Sequence, residues 1–93
     1  MNRETVEKVI ENLDNEFNSH QFIETFISKY EREYVELLYS HIDSKGIFRA
    51  THAEIGLYLA NKSLSLKIEK LDKVKSENIK NYDSENQKWR KIL

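Results

Sequence analysis

Residues 62–71 read Lys62-Ser63-Leu64-Ser65-Leu66-Lys67-Ile68-Glu69-Lys70-Leu71, and they satisfy two periodicities at once. Leu64, Leu66 and Ile68 alternate with Ser65 and Lys67, as in a half-buried strand. Leu64, Ile68 and Leu71 also share one face of a helix. Val74 and Ile79 continue the extended pattern, with Leu71-Asp72-Lys73 as a candidate turn. The alternation favours a β-hairpin over 64–80, and a helix over 63–71 stays open beside it. With the hairpin, the chain is mainly α with a small C-terminal β element, an α+β domain.

Upstream, the pattern is helical. Val6, Val9, Ile10, Leu13 and Phe17 mark one face of a helix that starts at an Asn2 N-cap and ends near residues 17–18. Asn18 with Gln21 has the spacing of a capping box. Phe22, Ile23, Phe26, Ile27 and Tyr30 follow as one stripe, and Tyr34, Leu37, Leu38 and Ile42 as another. They fit one long helix, or two helices broken near 29–31. Asp43-Ser44-Lys45-Gly46 is a stop, with Gly46 suited to the left-handed position past a helix end. Residues 47–49 read as a short extended piece. Thr51 with Glu54 then makes a second capping box, opening a helix that carries Ile55, Tyr58 and Leu59 inward. Ser84 with Gln87 suggests a short last helix leading to Trp89, Ile92 and Leu93.

Composition narrows the function classes. Ninety-three residues make a single domain, 1–93, with one modest core. There is no proline, and Gly46 and Gly56 are the only glycines. This argues against a turn-rich sandwich and against any Gly-rich loop cradling a nucleotide. Gly56 falls inside a predicted helix, where it costs about 1 kcal/mol relative to Ala, so a close approach of another element is expected there. The absence of cysteine excludes disulfides, zinc–thiolate sites and thiol catalysis. No apolar run is long enough to span a membrane, and the first residues lack the apolar core of a secretory signal, so the expectation is a cytoplasmic protein.

Charge is divided unevenly. Residues 1–45 hold five Lys/Arg and ten Asp/Glu, a net of −5. Residues 46–93 hold ten and six, a net of +4, and the two sum to the chain's −1. An acidic helical part followed by a basic part fits a nucleic-acid surface, or two halves of one fold that attract each other. His20, His41 and His52 match no local metal spacing, and the carboxylates lie opposite the apolar stripes, so no metal site, catalytic residue or cofactor is expected.

The order of these elements resembles a winged helix-turn-helix domain over about residues 47–80. Thr51-His52-Ala53-Glu54-Ile55-Gly56-Leu57-Tyr58-Leu59-Ala60-Asn61 looks like the first helix of such a motif, with Ile55 and Leu59 as core contacts. The resemblance implies a recognition helix over 62–71, with Lys62, Ser63, Ser65, Lys67 and Lys70 facing the groove of DNA and Leu66 turned inward. The function it implies is a small non-enzymatic DNA-binding domain with a regulatory or accessory role. The rival is a protein-interaction or homodimerisation module, since Tyr30, Tyr34, Tyr39 and Tyr82 supply amphipathic surface.

Overall fold

The stripe Val6, Val9 and Ile10 forms a helix, but a shorter one than its apolar spacing suggests. In the computed structural model, which describes residues 1–80 and 82–92, this helix is α1 (Arg3–Glu11). Asn2 caps it, its Oδ1 accepting from Thr5 N at 3.2 Å. Phe17, expected on the same helix, instead lies in a three-residue strand, β1 (Glu16–Asn18). There it pairs with Trp89, and both side chains are buried. The loss of a few weak helical hydrogen bonds is offset by burial of two large aromatic residues.

The capping box at Asn18 forms as expected. Asn18 Oδ1 accepts from Gln21 N, and Gln21 Oε1 accepts from Asn18 N, each at 2.9 Å. It opens α2 (Ser19–Lys29), which buries Phe22, Ile23 and Phe26. The long helical pattern is two helices, broken at Tyr30, where φ is −134° and ψ is 52°. α3 (Glu31–Ser40) follows and turns Tyr34 inward against Phe26.

Next comes α4 (Ile47–Asn61), which corrects four expectations. Residues 47–49 are its first turn and not an extended piece. Thr51 is no N-cap; it is fully buried, and its Oγ1 donates to Ile47 O at 2.8 Å. Gly46 opens this helix rather than ending the previous one, and its φ of −130° lies outside the left-handed region. Ile55 and Leu59 enter the core as expected. Gly56 makes no close approach: a Cβ built there meets no atom within 4 Å.

The ambiguous stretch divides between both periodicities. α5 (Ser63–Leu66) is a single turn. Lys67 then adopts a left-handed conformation, φ 58° and ψ 47°, and the chain enters β2 (Ile68–Glu77). A recognition helix over 62–71 is therefore absent. Continuing α5 beyond Leu66 would pull Ile68, 1% exposed, out of the core and break its pairing with Lys91.

The hairpin is present but longer than expected, because its second strand is β3 (Asp83–Lys91). Leu71-Asp72-Lys73 is not its turn. The register shifts between Lys70 and Lys73, and Gln87 Nε2 donates to Leu71 O across this irregularity. The expected last helix is this strand, and Trp89 docks from it, its Nε1 donating to Ser19 Oγ at 3.2 Å. Leu93, grouped with Trp89 in that expectation, lies outside the described residues.

The sheet is antiparallel in the order β1-β3-β2. β2 is an edge strand, and its exposed Lys70, Lys73 and Lys75 discourage pairing with another chain. The fold is thus α+β, with one apolar cluster drawn from α1, β1, α2, α3, α4, α5 and both hairpin strands. Among the described residues, no helix is long and apolar enough to cross a membrane.

Candidate functional site

Cations gather at the start of α4. Lys45 and Arg49 flank Gly46, which has no side chain to cap the helix. The first N–H groups of α4 therefore carry the helix's partial positive charge without a capping side-chain acceptor. Lys80 reaches the same place from the connection between β2 and β3, its Nζ 5.7 Å from the centre of the Phe48 ring. Together these residues line an open groove of about 880 Å³ that contains three cations and no carboxylate. None of the three joins an ion pair among the described residues.

His52 lies beneath Phe48, with ring centres 6.1 Å apart, and its Nε2 is 2.7 Å from Tyr34 Oη. Burial lowers the pKa of His52, and electrostatic interaction with His20 and Lys80 lowers it further. The Tyr34 hydroxyl is pushed the other way, upward, by its own burial. Each shift favours the neutral form of its side chain. The loop before α4 is tied down by His41, whose Nε2 is 2.7 Å from Glu54 Oε1.

Asn78 makes three hydrogen bonds within the described part of the hairpin connection. Asn78 Oδ1 accepts from Lys80 N at 2.9 Å and from Tyr82 N at 3.2 Å, and Asn78 N donates to Tyr82 O at 2.8 Å. Ile79 packs against the core. At the base, His20 clamps the hairpin to α2. Its Nδ1 is 2.6 Å from Ser76 Oγ and its Nε2 3.3 Å from Ser84 Oγ. Both ring nitrogens are engaged, which leaves this imidazole no open position as a base or ligand. Among the described residues, no group of three or more His, Asp or Glu side chains could hold a metal ion.

The five residues expected to face DNA lie elsewhere. Lys62 ends α4, where a cation is electrostatically favourable. It is some 20 Å along the helix from Arg49. Ser63 and Ser65 lie in α5; Ser65 Oγ donates to Lys62 O at 3.0 Å, and Ser65 O accepts from Arg3 Nη2 at 2.7 Å. Lys67 holds the left-handed turn, and Lys70 stands in β2 opposite Trp89. They follow the α4–β2 junction and share no helix face. Lys45, Arg49 and Lys80 are separated by up to 35 positions in sequence, and only the returning hairpin unites them.

The tyrosine-rich surface is split as well. Tyr34 is buried, while Tyr39 is 72% exposed and shares a stripe with Val35 and Ile42, both more than half exposed. Comparison with known proteins found no matching family model, no matching curated protein and no matching solved structure.

Proposed function

We propose that this chain is a non-enzymatic, winged-helix-like domain that binds nucleic acid, DNA in the first instance, through the groove between α4 and the hairpin. One observation carries the proposal: three cations, none of them in an ion pair among the described residues, line a groove at the positive end of a 15-residue helix with no carboxylate in its described lining. That arrangement costs the free protein electrostatic energy, and a polyanion recovers it. The element order supports the same reading, since a helical part leads into a two-stranded hairpin, as the winged-helix resemblance implies. In this version α4 takes the place first given to residues 62–71. Lys70, Lys73 and Lys75 add positive charge along the hairpin. Ten of the sixteen acidic residues precede residue 46 in the sequence. A cytoplasmic, regulatory or accessory role belongs to the same proposal.

The test is a mobility shift with duplex DNA of mixed sequence, at low salt and then at rising salt. A shift that weakens steeply with salt is the expected result. No shift at low salt would remove the proposal.

The exposed stripe of Val35, Tyr39 and Ile42 favours a second reading, a protein partner or a second copy of this chain. Light scattering that gives a dimer sensitive to Tyr39→Glu would support it.

A further inference from the structure

α4 is apolar on two opposite sides. Thr51, Ile55 and Leu59 point into the core and are fully buried. Ala53, Leu57 and Ala60 recur at i, i+4 and i+7 and share the opposite side. Ala53 is exposed, Ala60 is half-buried, and Leu57 is 62% exposed. A surface helix ordinarily carries charge on this side. Between Glu54 and Lys62 there is no charged residue, and Glu54 itself is engaged by His41. In the α5 turn that follows, Leu64 is 89% exposed. Gly56 lies beside the stripe. A glycine inside a helix is destabilising, and this one gives nothing back within the chain, because a Cβ built on it meets no atom within 4 Å among the described residues. A second helix crossing close over α4 would make use of it.

The stripe is complementary to itself. Leu57 projects, and Gly56 with Ala53 and Ala60 forms a hollow beside it. A two-fold axis perpendicular to α4 sets each Leu57 against the hollow of the other copy, so one patch supplies both halves of the contact. It also runs the two helices antiparallel, with the positive end of each beside the negative end of its mate. The exposed area matches the same occupant. The chain exposes 6401 Å². A folded monomer of 11.1 kDa exposes about 5,650 Å². The surplus of about 750 Å² is close to the roughly 800 Å² that each partner gives to a standard interface.

We infer that a second copy of this chain docks on the outward side of α4, the two helices packing antiparallel with Leu57 of each seated over Gly56 of the other. The contact needs no nucleic acid and leaves one basic groove at each end of the helix pair. Sedimentation velocity of the intact chain, without nucleic acid and over concentrations bracketing about 1 μM, tests it. The expected species is a dimer that grows with concentration and persists at moderate salt, because its contact is apolar. Leu57→Glu should weaken association roughly thirtyfold or more, as at the centre of an interface. Leu57→Ala trims the projecting side chain without adding charge and should weaken it in the same direction. Because Leu57 is largely exposed in the single chain, both variants should keep the far-ultraviolet circular dichroism of the parent. Tyr39→Glu, on the α3 stripe, should leave this dimer intact. A chain that stays monomeric at every concentration would overturn the inference, whichever other protein then covers α4. So would a dimer that survives Leu57→Glu, or one lost only with Tyr39→Glu. None of these outcomes decides the mobility shift with DNA, so the two proposals fail separately.

Discussion

Reversing two charges in the groove should make the protein bind less and fold more firmly. The variant is Arg49→Glu with Lys80→Glu. If Lys45, Arg49 and Lys80 each neutralise one phosphate, the groove contributes a slope of about −2.7 to log K against log salt for duplex DNA. Between about 50 and 200 mM salt that alone weakens binding roughly fortyfold. The double variant leaves one groove cation, so the slope should flatten by about 1.8. Stability should move the other way. Arg49 is the third residue of α4, next to its positive end, and glutamate there gains some 0.3–1 kcal/mol. Lys62→Glu with Lys67→Glu, at the opposite end of α4, is the comparison and should leave the groove's share of the slope intact. Titrations at four or five salt concentrations, with thermal melts of each variant, measure all of this. The reasoning fails if the distant pair flattens the slope as much as the groove pair. It also fails if the groove pair melts well below the parent.

Three further outcomes follow from the packing. Gly56→Ala should stabilise the fold by about 0.8–1 kcal/mol, because α4 gains helix propensity and the added Cβ meets open space. A melting temperature raised by roughly 4–8 °C would show it, and a fall would contradict the geometry. Trp89→Ala should cost about 3–5 kcal/mol, since it empties the centre of the sheet and removes the Nε1–H that donates to Ser19 Oγ. Chemical denaturation measures that loss. His52 introduces a pH dependence. Its folded pKa lies below the unfolded value of about 6.5, so the folded form resists protonation. Its contribution is complete above that unfolded value and is lost as pH falls toward and through the lowered folded pKa. Denaturation at about pH 7 and about pH 5 should therefore show a larger loss in the parent than in His52→Gln.

The parts of the fold that could be read in the sequence were those fixed by neighbours a few positions away. The Asn2 cap, the Asn18–Gln21 box and the apolar faces of α1 and α2 all follow from local spacing. Thr51–Glu54 has the same spacing as a capping box, yet Thr51 sits inside a helix. Its hydroxyl satisfies itself on Ile47 O, and its methyl group is free to be buried. The sheet was partly hidden for a different reason. β3 is Asp-Ser-Glu-Asn-Gln-Lys-Trp-Arg-Lys, a poor strand by propensity. It is extended because it has partners on both sides, and those partners are distant in sequence. The groove depended on the same long-range return. Lys80 belonged to a recognisably basic half, but nothing local related it to Arg49. Lys62 and Lys67 were conspicuous in the sequence because they crowd one segment, and the fold spreads that segment over a helix end, a turn and a strand.

The sheet order has a consequence for how the chain acquires its structure. β1 and β2 do not pair with each other; each is hydrogen-bonded in the sheet to β3, the last of the three to be synthesised. Until β3 is made, Phe17 lacks Trp89, and the N-terminal helices keep part of their apolar face in water. Pairing Phe17 with Trp89 closes a loop of about 70 residues, a slow kind of contact to form. The nascent chain should therefore collapse late and cooperatively, and any truncation before Trp89 should leave a sticky, protease-sensitive helical fragment rather than a smaller working domain.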